Sequence, residues 1–434
     1  MTVPSAMTDR QRPYGHRNEE AAVTDSSSPS TTDGHRPAPG PRPGPLAGVR
    51  VVELATVIMG PYAGQMLGDL GAEVIKVEAA GGDHSRIMGG GPHEQLSGVA
   101  LNLHRNKRSV QLDLQRPQGR SAFLRLLDTA DVLITNFRPK ALTKLGLDYR
   151  SVRTERAGLV YCEAHGFSLE SGEADLPAYD DIIQAATAIP ALVHSATEVM
   201  NYMPTVVGDK VAGLTITYAV LAALIHRMRT GEGQQVEVPM FDSVLAFNLV
   251  EHLSKAAAPG GSAGYNRILN PFRRPHKTKD GYVAMLPYSD QSWSDLYHAV
   301  GREHELEEPW FQRRLENSRP VYASLGKILA ERTTAECLEL AAKLGIPAGP
   351  VPSLDEVVED PAAHRGVLVL AEHPVVGSYR QVVPAVRFER SPAGIRRHAP
   401  LIGQDTEVVL RELGLSDDEI NELTAATTRD SSAH

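Results

Sequence analysis

Cysteine is nearly missing: Cys162 and Cys337 are the two in 434 residues, far apart and outside any CxxC spacing. This excludes a disulfide scaffold or structural zinc site and points to a reducing cytoplasm. Sixteen histidines form no HExxH pair, so no metal is expected. Aromatic residues are 5% of the chain and the net charge is −9. That combination disfavours nucleic acid and an anionic membrane as partners. The longest apolar run, Val211 to Ile225, is shorter than the ~20 residues that span a bilayer. It reads as a buried helix. The first residues lack an apolar signal-type core, and Glu19 and Glu20 argue against a transit peptide. No GxxxxGK[ST] occurs and no GxGxxG follows the first predicted strand, so neither a nucleoside triphosphate nor a nicotinamide is implied.

What is present is an ordinary globular composition, 42% hydrophobic and 22% charged, with one local exception to the acidic balance. From Arg105 to Lys144 there are nine Lys/Arg against Asp113, Asp128 and Asp131. A basic stretch inside an acidic protein suits a small polyanionic ligand. Residues 1–44, rich in Ser, Thr, Pro and Gly, have no periodicity and predict a disordered tail. From Pro45, strand and helix signals alternate: strands at Val49–Leu54, Glu73–Val77, Ser109–Leu114, Val132–Thr135 and Leu159–Glu163, with helices at Tyr62–Leu70 and Gly119–Leu127. Repeated βαβ units predict a Rossmann-like, doubly wound α/β domain with parallel strands over 45–255. A Gly/Ala/Pro-rich linker at 256–264 then leads to a smaller α/β domain at 265–365. Residues 366–434 read as a C-terminal segment returning to the large domain.

Motifs then accumulate in order: PLAGVRVVELATVIMGPYAGQMLGDLGAEVIKVE (45–78), NKRSVQLDL (106–114), DVLITNFRPKALTKLGLD (131–148), AYDDIIQA (178–185), VVGDKVAG (206–213) and RTGEGQQVEVPMFDSVL (229–245). TKDGYVAM, LGIPAGPV and APLIGQDTEVVLRELGL follow. From Pro45 to about Leu423 the chain resembles the family III (CaiB/BaiF) CoA-transferases, the group of formyl-CoA, carnitine and bile-acid CoA-transferases. The resemblance implies transfer of CoA from an acyl-CoA donor to a carboxylic acid, with CoA as substrate and no permanently bound cofactor, by an interlocked homodimer. It makes Asp209 the nucleophile that carries CoA as an aspartyl thioester, and places Tyr179 and Asp180 beside it. A carboxylate can attack a thioester to give a mixed anhydride, which agrees with the missing phosphate loop because no ATP is needed. Asp209 also precedes the long apolar run, where it reads as a helix N-cap whose neighbouring N–H donors and dipole favour its ionised form. Asp180 reads equally as a cap on DIIQAATA.

Positions matched to CoA contacts are Val57, Leu114, Gln115, Asn136, Phe137 and Lys144. Arg105 and Arg108 are expected to meet the phosphates by charge-assisted bonds. Ile58 and Ala79 replace an active-site glutamine and a CoA-binding arginine of formyl-CoA transferase, which speaks against oxalate and formyl-CoA. Arg273 and Arg274 are candidates for the acceptor carboxylate. Two other readings compete: an acyl-CoA racemase of the same fold, and an acyl-CoA-binding protein without turnover. The racemases carry a histidine where this chain has Tyr179, and a second base near Ser289–Asp290. Racemisation needs a base on each face of the α-carbon, so Tyr179 argues against it.

Overall fold

Alternating apolar side chains along the first strands fill two cores, one on each face of a single sheet. The computed structural model describes residues 43–315 and 317–430, so the tail predicted for residues 1–44 lies almost wholly outside the described residues. Strands β1 (Arg50–Leu54), β2 (Glu73–Glu78), β3 (Lys107–Gln111), β4 (Val132–Thr135), β5 (Val160–His165) and β6 (Gln235–Pro239) form a parallel sheet. Its order is β3-β2-β1-β4-β5-β6, that of a doubly wound α/β sheet. The helices up to β6 are α1 (Met59–Asp69), α2 (Gly98–Leu103), α3 (Pro117–Leu127), α4 (Pro139–Leu145), α5 (Tyr149–Arg153), α6 (Asp180–Ala186), α7 (Ile189–Thr197) and α8 (Val207–Thr230), and α9 (Met240–His252) follows β6. Val51, Val74, Val132 and Cys162 face α1 and α8, whereas Val52, Ile75, Leu133 and Tyr161 face α3, α4 and the C-terminal helices.

Two element boundaries depart from the sequence reading for identifiable reasons. The first helix begins at Met59 rather than Tyr62, because Pro61 falls in a first turn where its missing N–H costs nothing. The third strand runs Lys107–Gln111 rather than Ser109–Leu114. It starts early because Lys107, fully buried, finds a carboxylate and a carbonyl for its ammonium. It ends early because Gly119 of α3 packs directly on the Asp113 backbone.

Beyond α9 a third core gathers on an antiparallel sheet of β7 (His276–Lys277), β8 (Tyr282–Met285) and β9 (Ala348–Pro350). Trp293, Tyr297, Tyr322 and Leu325 from the intervening helices fill it. A hairpin, β10 (Leu368–His373) with β11 (Gly377–Val382), follows; its weak apolar alternation left it unpredicted. The chain then meets the large sheet again: Asp405 accepts from Ser109 N at 2.9 Å and Thr406 Oγ1 from Gln111 N at 2.9 Å. Val409, Leu410, Leu415 and Ile420 complete the second face's core.

Candidate active site

α8 is apolar from Val211 to Ile225, and Gly231 in the left-handed region (φ +80°) stops it. It is long and apolar enough to cross a membrane, yet Ala212, Gly213, Ile216, Val220 and Ala223 are buried against the sheet and α1. Leu214, Tyr218, Ile225 and Met228 on its other side are exposed, Met228 by 84%. The expectation of a buried helix therefore holds for one face. Gly213 sets the approach to α1: a Cβ there would lie 2.9 Å from the Tyr62 ring and 3.0 Å from Met59 O.

That close approach puts Asp209, one turn earlier and 9% exposed, beside the start of α1. The Met59 N–H lies near enough to its carboxylate to favour the ionised form. Asp209 is the third residue of α8 and not its cap; the cap position is Val206, which offers no side-chain acceptor. Asp180 supplies one instead, its Oδ1 accepting from Asp209 N at 3.1 Å. A Cβ on Gly208 would come within 3.1 Å of that oxygen, so glycine there makes room for it. Asp180 is thus the first residue of α6 but satisfies a donor of α8. Gln184, one turn along α6, donates to Asp180 Oδ2 at 2.6 Å and accepts from Met203 N, which ties down the loop before α8. Tyr179, the residue before α6, is 67% exposed.

The electrostatics reverse the expectation that a helix start favours ionised Asp209. Burial first, and then the Asp180 carboxylate, push the Asp209 carboxyl up to about 7, against the opposing Met59 N–H. A carboxylate held near neutrality in a dry site is only weakly solvated and correspondingly reactive.

At the C-terminal ends of β1, β2 and β3 lies a cavity of about 630 Å³. Leu114, Gln115 and Phe137 line it, together with Ala55, Thr56 and the turn from Ala79 to Asp83. This is the crevice where open α/β sheets place ligands. Asn136 braces its rim, accepting from Thr56 N at 2.9 Å and donating to Thr56 O at 2.8 Å. Val57 continues that rim toward Met59 and Asp209. Lys144 is exposed in the last turn of α4, next to Leu145, which lines the cavity.

Arg105 and Arg108 are not part of this group, which corrects the expectation for both. They lie at the opposite end of β3, where Arg105 is buried and bonds the two Asp69 carboxylate oxygens at 3.0 and 2.7 Å. Arg108 bridges Glu73 at 2.9 Å and Glu412 at 2.8 Å. A linear run of basic residues does not show which end of a strand each occupies. Elsewhere, Asp290 is paired with Arg314 and Ser289 caps the helix Asp290–Ala299, so neither is a free base. Arg273 and Arg274 line a separate cavity of about 440 Å³ with Tyr322. Sequence reasoning missed the Met59 N–H, a backbone donor with no side-chain signature.

The sequence profile of CoA-transferase family III matches residues 46–406. A succinate–glutarate CoA-transferase of Agrobacterium fabrum is 32% identical over 387 residues, covering 85% of this chain and 96% of the relative. The human succinyl-CoA:glutarate CoA-transferase is 30% identical, covering 88% and 89%. A crystal structure of a CaiB/BaiF family protein from Brucella suis superposes with a TM-score of 0.74 at 29% identity, over 86% of this chain and all of that one.

Proposed function

The chain belongs to CoA-transferase family III, and from that premise we propose that it moves CoA between carboxylic acids through an aspartyl-CoA thioester on Asp209. The observation that carries this reading is the buried Asp209 carboxylate, beside the start of α1 at Met59 and crowded by Asp180. Asp209 attacks the thioester carbonyl of the donor, and the carbon–sulfur bond breaks to release CoA thiolate and leave a mixed anhydride. The thiolate attacks the Asp209 acyl carbon, expelling the donor acid and forming the aspartyl-CoA thioester. The acceptor carboxylate attacks that carbon, CoA thiolate leaves, and its attack on the acceptor half of the new anhydride releases acyl-CoA and restores Asp209. No water, ATP or net proton is consumed.

CoA is placed in the crevice, with Val57, Leu114, Gln115, Asn136 and Phe137 against it, Lys144 at the phosphate end, and Tyr179 and Asp180 shaping the acyl end. The relatives' names put succinyl-CoA with glutarate first among pairs to test. The exposed apolar side of α8, with Phe247 and Val250 of α9, supports a homodimer. Cys162 and Cys337, both buried and unpaired, suit a reducing cytoplasm. Intact mass spectrometry after incubation with acyl-CoA tests the central claim. A CoA adduct mapping to Asp209 is expected, and an adduct elsewhere, or none with any acyl-CoA of a broad panel, overturns it.

A further inference from the structure

Between the sheet and α1 lies a charge cluster that CoA transfer does not itself use. Glu53, Lys76, Asp83 and Lys107 are each at most 3% exposed. Lys76 Nζ sits 3.0 Å from Glu53 Oε1 and 2.7 Å from Asp83 Oδ2, and Lys107 Nζ 2.8 Å from Glu53 Oε2. Gly64 of α1 leaves the room, since a Cβ there would fall 1.9 Å from Glu53 Oε2. Burying four ions costs several kcal/mol each before pairing, and apolar side chains of similar volume are often as stable. Stability alone therefore does not explain the cluster.

Its bonds to main chain converge on one short stretch. Lys76 Nζ donates to Ala55 O at 2.7 Å, Asp83 Oδ1 accepts from Val57 N at 2.9 Å, and Lys107 Nζ donates to Pro61 O at 2.8 Å. With Asn136 on Thr56, four residues between 55 and 61 are held from outside. The stretch needs holding. Val57 has φ +68°, a left-handed conformation that costs a β-branched residue about 1–3 kcal/mol. Two residues on, the Met59 N–H meets Asp209.

We infer that Asp83 is a positioning residue: held by Lys76, it fixes Val57 in the left-handed conformation and so aims the Met59 N–H at the Asp209 carboxylate. The inference rests on the reading of Asp209 as nucleophile. Asp83 is kept ionised for this task. Burial alone would raise its carboxyl, but the Lys76 ammonium and the N–H groups of Ser85 and Val57 outweigh it and hold the group below its ordinary value.

Asp83→Asn keeps the size of the side chain but sets an amide N–H₂ against either Lys76 or the Val57 N–H. The rate of CoA-adduct formation on Asp209 is expected to fall about 10- to 100-fold, the worth of one bond to a charged group, with KM for acyl-CoA within about threefold. Adding Val57→Gly, which accepts the left-handed conformation without penalty, should restore about tenfold of the loss, a rescue that general structural damage would not show. Asp83→Glu, which keeps the charge but crowds Val57, serves if Asp83→Asn does not fold, and should slow the adduct similarly. Amide exchange across residues 55–61 is read in the same proteins and does not depend on turnover. It should quicken tenfold or more (about the same factor as the rate loss), while residues 321–330 keep their wild-type exchange. A wild-type protein without an adduct would overturn the nucleophile and leave the clamp to be judged by exchange. An adduct on wild type, with unchanged adduct rate and unchanged exchange in the Asp83 variant, overturns the clamp alone.

Discussion

Asp209 carries two opposed demands under the proposed mechanism, since the burial that would sharpen its carboxylate as a nucleophile is also a cost to the folded chain. Its ordinary value is 3.8 and its value in the folded chain is about 7. Between those values the unfolded state binds fewer protons, so stability falls as pH rises through the window and the full cost stands above about pH 7. Asp209→Asn removes the ionisation. It should abolish the CoA adduct while raising stability at pH 8 by about 2–4 kcal/mol, a gain that shrinks toward pH 4. Urea denaturation at pH 8, 6 and 4 beside the adduct assay checks both halves, and equal stability at all three would refute the burial argument. Two basic side chains separate in the same spirit. Lys144→Glu, at the cavity's rim, should raise KM for acyl-CoA about 3- to 10-fold with little change in kcat, as expected when an exposed phosphate contact is lost. Arg108→Glu should leave KM alone and cost on the order of 1 kcal/mol, because it sets an acid against Glu73 and Glu412 far from the crevice.

Among the elements, the contact of α1 with α8 sets the surroundings of Asp209. Each helix contributes one partner, the Met59 N–H and the Asp209 carboxylate, and Gly213 fixes their separation. In Gly213→Ala the new methyl would meet Met59 O, a backbone atom that cannot rotate away. The helices must part by a few tenths of an ångström, at a cost of about 1–3 kcal/mol. The adduct rate should fall by more than that modest destabilisation suggests, since a small displacement at reacting atoms is heavily penalised. Stopped-flow measurement of adduct formation beside a denaturation curve separates the two, and a full rate with lowered stability would show the contact to be packing alone.

On the scale of the whole molecule, the exposed stripe Leu214, Tyr218, Ile225 and Met228 sets an apolar surface beside the elements that carry the site. If a second copy covers it, Tyr218→Glu with Val250→Glu should convert the protein to monomer at micromolar concentration, read by light scattering on a sizing column. A wild-type protein that runs as a stable monomer would remove the homodimer.

Much of this protein is legible in order of residues alone. The β-branched apolar runs define the parallel strands, because local pattern encodes local structure, whereas Asp209 stands out only through the family resemblance that VVGDKVAG helps to carry. The strand Val132–Thr135 has the bounds the sequence predicts. Tertiary structure decided what depends on distance through space. It placed Arg105 and Arg108 at the wrong end of a strand for the crevice, although they stand beside the motif in sequence. It turned Asp180 from a cap of its own helix into a partner of Asp209, 29 residues away. It also raised the Asp209 carboxyl toward neutrality, since desolvation and a neighbouring charge arise only once the chain has closed around them.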